Sequence, residues 1–529
     1  MVLASRIVYR LLSLVLLFTT AVGGIPLFFA SPLNAQSSNA SLTGRITDSS
    51  KGVVPNALVA AINTGTRVHY ETVTNATGSY YVTDLPPGTY RIEVEKVGFK
   101  AVIKSDLVLH VQDALEINFE MVLGSASESV TVRGGVAPLD TESSTIGTVV
   151  EQRKVNELPL NGRNVFNLIE LAASVVPQGS STGTPVGVNP FGWGNYQVNG
   201  SFGNESAEFL DGQPLNIGYI NLPILIPTQD SIQEFRVQTS NLGPEWGKFS
   251  GGVTNLSTKA GASSIHGEAY EYLRNKIFNA NDFFLNAVDR PRPPWVQNQF
   301  GVNAGGPLNI PHFGGKNKTF WFVSGEGFRL RTSEPFTSTV PDTNERAGIF
   351  SKICKTGFTA GICNDRGVDA NGKPMVIDQI YDPCGGSVNA QGACPGSTAT
   401  PTPFLNNIIP KDRINFTSMK LLDLWPAPTN LGATTNNFTT AAPTGGDHNQ
   451  FVGRLDHSIT SKQRLFLRFN YWHVLDLPID PLGTGLCADR CAEDYHTYAT
   501  AAGYTYNVTP TTVLGLNASV SRFTYNRSP

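Results

Sequence analysis

The stretch RLFLRFNYWH, residues 464–473, limits the fold more than any other part of the chain. Leu465, Leu467, Phe469 and Tyr471 alternate with Arg464, Arg468 and Asn470. Successive side chains of a strand point to opposite faces, so the segment has one apolar and one charged face. Its length and its apolar-out, polar-in dyad are those of a transmembrane strand, although a soluble β-sandwich can show the same alternation. Residues 498–508 place Tyr498, Ala502, Tyr504, Tyr506 and Val508 on one face, with tyrosines suited to a membrane interface. Phe320–Val323, Phe451–His457 and Leu514–Val520 behave alike, and about seven strands can be placed after residue 262.

Composition agrees with a large, turn-rich β protein. Only 15% of the 529 residues are charged, against roughly 25% in soluble domains. Lys and Arg number 39 and Asp and Glu 42, a net charge of −3 that gives no basic surface for nucleic acid. After the first thirty-five residues no apolar run approaches the ~18 needed for a membrane-spanning helix.

Those first residues have the form of a secretory signal peptide, residues 1–35. Arg6 and Arg10 precede an apolar run, Leu11 to Ala30, broken by Gly23, Gly24 and Pro26, and Ala35 offers a small residue for cleavage. A permanent anchor is the alternative, which the helix breakers disfavour. In an oxidising compartment the six cysteines become disulfide candidates: Cys354 and Cys363, Cys384 and Cys394, Cys487 and Cys491 form three close pairs. Six cysteines permit fifteen connectivities. No His lies at ligand spacing from them and there is no CxxC, so no metal and no cofactor is expected. Asp365, Asp369 and Asn371 faintly resemble a calcium loop, but acidic residues are missing at its third and twelfth positions.

Residues 36–122 read as a β-sandwich. Leu115, Ile117, Phe119 and Met121 alternate with Glu116, Asn118 and Glu120, and the turn signals NATG and PPG separate further short strands. The runs TGRITDSSKGVVPNALVAAINTGT and TNATGSYYVTDLPPGTYRIEVEKVGF closely resemble a carboxypeptidase-regulatory-like domain (Cna B-type, a carbohydrate-binding-like fold). The sequence offers no clear sugar platform, and a rigid accessory module is the expectation.

Residues 123–262 differ in character. SASESVTVR, residues 125–133, is polar and extended with Val130 and Val132 on one face, suited to adding a strand to a sheet edge. Val165, Leu168, Ile169 and Leu171 fall at helical spacing, predicting a short buried helix, and Ile232, Phe235 and Val237 alternate as buried positions. GPEWGKFSGGVTNLSTKAG, residues 243–261, alternates like a strand yet carries five glycines. That many glycines imply backbone packed closely against other backbone.

The ordered set ESVTV, LPLNGRN, QVNG, EFLDGQPL, SIQEFRVQTSN, PEWGKFSGGVTNLSTKAG, HGEAYEYLRN and NQFGVNAGGPL resembles TonB-dependent outer-membrane receptors of the Oar-like type. The resemblance runs from about residue 125 to the last. It implies a mainly β protein with an N-terminal β-sandwich, a plug domain, and the first part of a transmembrane antiparallel β-barrel from 263 to 529, with a long loop at 331–447. It further implies a TonB box at Glu128, Ser129, Val130, Thr131 and Val132, which could equally be an ordinary linker strand. Arg163, Asp211, Gly251 and Gly252 become plug structural residues, the first two making charged contacts with the barrel wall. The implied partners are the periplasmic domain of TonB, outer-membrane lipid and an unidentified extracellular ligand, carbohydrate or peptide among the options. The implied location is the outer membrane, with the N-terminal domain in the periplasm.

Seven strands cannot enclose a plug, since plugged barrels of this kind have about 22. The expectation is therefore the N-terminal part of a longer protein. HExxH, GxSxG and Walker loops are missing, so no enzyme is expected. Energised uptake is the leading reading. A surface binding or adhesion protein without transport is the alternative.

Overall fold

A computed structural model describes residues 38–528, apart from 125–128, 134–142, 178–195, 219–220, 310–317, 387–393, 395–399, 486–490 and six positions between 282 and 290. The leader, Glu128 and Cys487 lie outside the described residues.

The chain builds three β units in succession. The first is a sandwich around Leu42, Ile46, Val59, Tyr80, Tyr90, Ile92 and Leu115, all buried. One sheet centres on strand Ala40–Asp48, and the other runs His69–Val73, Leu58–Asn63, Gly88–Glu95, Ala101–Leu109 and Ser129–Arg133. That last strand, hereafter the handle strand, pairs in parallel with Ala101–Leu109, Ala101 opposite Ser129 and Ser105 opposite Arg133. The extended 129–132 segment thus occupies the edge of its own neighbour's sheet.

The second unit is a mixed five-stranded sheet in the order Ile146–Val150, Ile232–Ser240, Val253–Thr258, Ala207–Leu210, Gln213–Pro214. The predicted helix is a 3-10 turn, Val165–Leu171, with Val165, Phe166, Leu168 and Ile169 buried and Leu171 about half exposed. All six residues of Val253–Thr258 are buried. The strand is covered on both faces, which explains its glycine-rich approach. A Cβ at Gly251 would lie 2.6 Å from Ser206 Oγ and 2.9 Å from the Glu205 carbonyl carbon, and one at Gly252 2.8 Å from Val198 Cγ2.

The third unit is a seven-stranded antiparallel sheet: His266–Asn275, Trp295–Pro307, Thr319–Ser338, Phe438–Ser458, Gln463–Leu477, Ala492–Thr509 and Thr512–Ser528. It curves around the second unit as a wall. Arg464, Arg468, Asn470 and Trp472 are buried on the inner face, while Leu467 and Phe469 are exposed on the outer face. The wall and the enclosed sheet share one hydrophobic cluster, in which Trp472, Val474, Tyr495 and Ala499 pack with Phe166, Ile169, Leu225 and Phe235.

The long loop is shorter than the expected 331–447. Its flanking strands reach Ser338 and Phe438, which pair with each other, so the connection is 339–437. Thr, Gly, Ala and Pro in 439–446 read as loop by composition, yet each finds a ladder partner in 330–337. Within the loop Cys354 is bonded to Cys363 and Cys384 to Cys394, and Cys491 is also disulfide-bonded. The sandwich sits at the opposite end of the wall. Arg464 lies 3.8 Å over the Tyr70 ring, and Ser263 Oγ donates to the Gly65 carbonyl at 2.9 Å. Among the described residues no helix is long and apolar enough to cross a membrane.

The close approaches at Gly251 give a direct test. Gly251→Ala should destabilise the enclosed domain by about 1–3 kcal/mol through overpacking. Gly247→Ala, whose Cβ would lie 3.4 Å from the Pro244 oxygen, should change little. Thermal melting of the two variants side by side checks the contrast.

Candidate functional site

The enclosed domain meets the wall through two charged anchors, each on a tight turn. FLDGQPL forms a hairpin in which strand Ala207–Leu210 pairs with Gln213–Pro214. Asp211 and Gly212 both take positive φ, 49° and 76°, the backbone an Asp-Gly two-residue turn requires. That turn aims the Asp211 carboxylate at the wall. Arg468 Nη1 donates to Asp211 Oδ2 at 2.6 Å and Arg454 Nη1 to Asp211 Oδ1 at 3.1 Å. Thr258 completes the site, its amide donating to Oδ1 at 2.9 Å and its hydroxyl to Oδ2 at 2.8 Å. Arg454 and Arg468 come from wall strands; Asp211 and Thr258 come from the enclosed sheet.

Burial alone would push the Asp211 carboxyl up, but Arg454, Arg468 and the Thr258 hydrogen bonds outweigh it and hold the group below the usual carboxylate range. The neighbouring Glu208 shows what the arginines contribute. It is equally buried, its side-chain partner is Asn216 at 2.8 Å, and burial pushes it up to about 7. Two buried carboxyls three residues apart on one hairpin are therefore shifted in opposite directions, because only one faces cations.

Arg163 is the second anchor. It also takes positive φ, 53°, next to Gly162 at 66°. Its guanidinium lies 2.6 Å from Asp230 of the enclosed domain and 3.5 Å from Glu326 of the wall. Its Cζ sits 4.5 Å over the Tyr270 ring, whose hydroxyl donates to Glu326 at 2.7 Å. Between the anchors, segment 224–228 is hydrogen-bonded along the wall. Gln450 Nε2 donates to the Ile226 carbonyl at 2.7 Å and Thr497 Oγ1 to the Ile224 carbonyl at 2.7 Å.

A third contact joins the sandwich to the enclosed sheet, and sequence reasoning did not single it out. The turn at 110–113 follows directly on the strand that carries the handle. Glu234 Oε1 accepts from the Val111 amide at 2.6 Å, and Glu234 Oε2 lies 3.1 Å from His110 Nδ1. Arg236 donates to the carbonyls of Val111 and Gln112 at 3.2 and 3.1 Å and pairs with Asp113 at 3.2 Å. Gln238 reaches Gln112 at 3.0 Å. These three polar residues alternate along SIQEFRVQTS, and burial of both faces of that strand was the missing knowledge. In the described residues the handle strand presents Val130 and Thr131 to solvent.

Comparison with known families now has a geometry to address. The family described as an outer membrane beta barrel domain matches residues 257–529, the wall and the strand leading into it. The chain belongs to this outer-membrane β-barrel family. Residues 41–122 match the carboxypeptidase regulatory-like domain. The barrel-family chain is 26% identical over 268 residues to the TonB-dependent transporter Oar of Myxococcus xanthus, a match covering 49% of this chain and 24% of the relative. Among solved structures it is similar to the outer membrane transporter YddB from Escherichia coli, with 9% identity and a TM-score of 0.40 over 71% of this chain and 38% of that one. It is also similar to the siderophore receptor PirA from Pseudomonas aeruginosa, with 10% identity and a TM-score of 0.36 over 72% and 41%. The chain thus spans about a quarter of the curated relative and about two-fifths of each solved structure. Its fold is mainly β throughout, a sandwich followed by outer-membrane barrel strands.

Removing one partner from a buried ion pair leaves the other charge uncompensated. Asp211→Asn should therefore loosen the enclosed domain from the wall by roughly 3–5 kcal/mol, seen as a lower urea midpoint for protease attack on residues 146–258. The sandwich contact should depend on pH. The Glu234 hydrogen bond raises His110 above its ordinary value against the opposing effect of burial. The folded state then holds the proton more tightly than the unfolded chain. That stabilisation is complete below the unfolded imidazole value of about 6.5 and fades as pH rises through the raised one. Proteolytic release of the sandwich should be faster at pH 8 than at pH 6, and Glu234→Gln should abolish the difference.

Proposed function

We propose that this chain forms the energy-coupled part of an outer-membrane importer, driven by TonB from the periplasmic side. One observation supports this reading above the others. The handle strand is paired to the strand whose terminal turn clamps the enclosed sheet at Glu234, Arg236 and Gln238. A pull on the handle is passed to Ala101–Leu109, then to the 110–113 turn, then to strand Ile232–Ser240 of the plug. The outer membrane has no local supply of chemical energy, so work done there must arrive mechanically, and a continuous ladder is a means of delivering it.

On this reading residues 123–262 are the plug and Ser129–Val132, with Glu128, the TonB box. The partner would add a strand beside Val130 and Thr131, where the sheet edge is open. The sandwich faces the periplasm after removal of the leader, and the 339–437 loop with its two disulfides faces outward to meet the ligand. Asp211 with Arg454 and Arg468, and Arg163 with Asp230 and Glu326, are the latches that movement of the plug must break. No catalytic step is assigned to any residue. In lipid the two open edges of the seven-stranded wall need partner strands, because unpaired backbone groups there cost several kcal/mol each.

Deleting residues 129–133 should abolish capture of the purified periplasmic domain of TonB while leaving the chain in the outer membrane with its plug protease-resistant. A Val130→Cys chain should form a disulfide cross-link to a cysteine-bearing TonB domain. Equal capture by the deleted chain would remove the basis for this function and leave surface binding without transport, which has no use for the handle.

A further inference from the structure

The outer face of the wall holds a second cluster, remote from the plug. His473 on strand Gln463–Leu477 and His496 on strand Ala492–Thr509 stand directly opposite each other in the antiparallel ladder. Their rings stack, with centroids 4.3 Å apart and planes 6° from parallel. Asp494 is two residues from His496, so it shares that face of the strand. Its Oδ1 lies 2.8 Å from His473 Nε2 and 3.3 Å from His496 Nε2. The three donor atoms fall within 4.8 Å of one another, and all three residues are half-buried. His496 Nδ1 is buried without a hydrogen-bond partner, so the polar contacts of that ring lie on the Nε2 side.

We propose that His473, His496 and Asp494 form a binding site for a divalent transition-metal ion. Opposed residues on antiparallel strands have Cβ atoms about 5 Å apart, close enough for two imidazoles to reach one ion. A two-histidine, one-carboxylate set favours borderline cations such as zinc, nickel or copper(II) over calcium or magnesium, which prefer all-oxygen shells. Three protein ligands leave at least one coordination position for water or an outside anion. The ion would take the place between the Nε2 atoms and the carboxylate, where His473 now hydrogen-bonds Asp494 and His496 approaches it.

The position on the wall gives the site its surroundings. Arg464, at the sandwich end, is about 30 Å away along the same strand. Between them the outward side chains are Leu465, Leu467, Phe469 and Tyr471, an apolar band about 20 Å long along the strand. Tyr471 and Tyr498 pair one step below the histidines, rings 5.2 Å apart. Level with the site and just beyond it stand Asn449 and Asp447, the latter bonded to Arg331 at 2.7 Å. The site therefore lies where the apolar band ends and outward polar side chains begin, reachable from water at the end of the wall far from the sandwich. A bound ion would pin two neighbouring strands together there.

The test uses the untagged full chain in detergent, stripped with a chelator and titrated with Zn²⁺, then loaded with one equivalent of Cu²⁺ for electron paramagnetic resonance. One saturable zinc site is expected, with imidazole nitrogen coupling in the copper spectrum. His473→Gln and Asp494→Asn should each weaken zinc binding at least tenfold, and His473→Gln should reduce the coupling to one nitrogen at this site. Because these side chains face outward, the variants should keep a protease-resistant plug, which confirms that they fold. Identical titrations for the wild type and the folded His473→Gln/His496→Gln double variant would overturn the assignment, as would binding that calcium or magnesium displaces at equal concentration.

Discussion

A carboxylate cannot stay ionised inside a protein without partners, and Asp211 is the point where this constraint shapes the whole molecule. Its charge is matched by Arg454 and Arg468, which belong to strands of the wall. Those arginines point into the space the plug fills and are themselves fully buried. Neither half of the arrangement is reasonable alone: the plug would carry a buried anion facing no cation, and the wall a buried Arg468 beside Arg454, which would keep only Asp456 of its own strand. Burial of ions costs more than it returns unless the geometry is complete. The ionic site therefore fixes the position of the plug, while the shared apolar cluster around Phe166, Phe235, Trp472 and Tyr495 supplies the area that holds it.

The same logic operates between sandwich and plug with smaller stakes. Glu234 and Arg236 are buried but take their partners mainly from the backbone of the 110–113 turn. Backbone partners cannot be exchanged by side-chain rotation, so the two domains meet in one orientation. The handle, the turn and the clamp are then successive parts of a short stretch of structure. Mechanical continuity follows from hydrogen bonds, and no large interface is needed.

Much of the wall was readable because period-two alternation survives in its strands. Arg464, Arg468 and Asn470 against Leu465, Leu467 and Phe469 already separated an inner from an outer face. The Asp211-Gly212 turn carries a local signal of its own, since few residues accept positive φ in pairs, but sequence reasoning did not use it. The partners were not readable. Asp211 and Arg468 are more than 250 positions apart, and nothing local marks them as a pair. Glu234 and Arg236 look like the solvent side of a half-buried strand, and only the docked sandwich makes that side interior. Residues 439–446 look like loop, because their weak side-chain pattern is compensated by a backbone ladder that sequence does not display. The cross-strand meeting of His473 and His496 was hidden for a related reason. Ligand spacing along the chain says nothing about register between strands.

The hairpin of Thr319–Ser338 and Phe438–Ser458 is longer than a membrane needs. Gly327 and Asn449 stand level with His473, where the apolar band ends, yet pairing continues to Ser338 and Phe438. That extension projects roughly 35 Å past the boundary at the usual rise per residue. The disulfide-bonded loop is thus carried on a stalk. Its height above the bilayer is set by a backbone ladder, independent of the loop's own sequence. Residues 339–437 can consequently vary in sequence while their distance from the end of the apolar band stays the same.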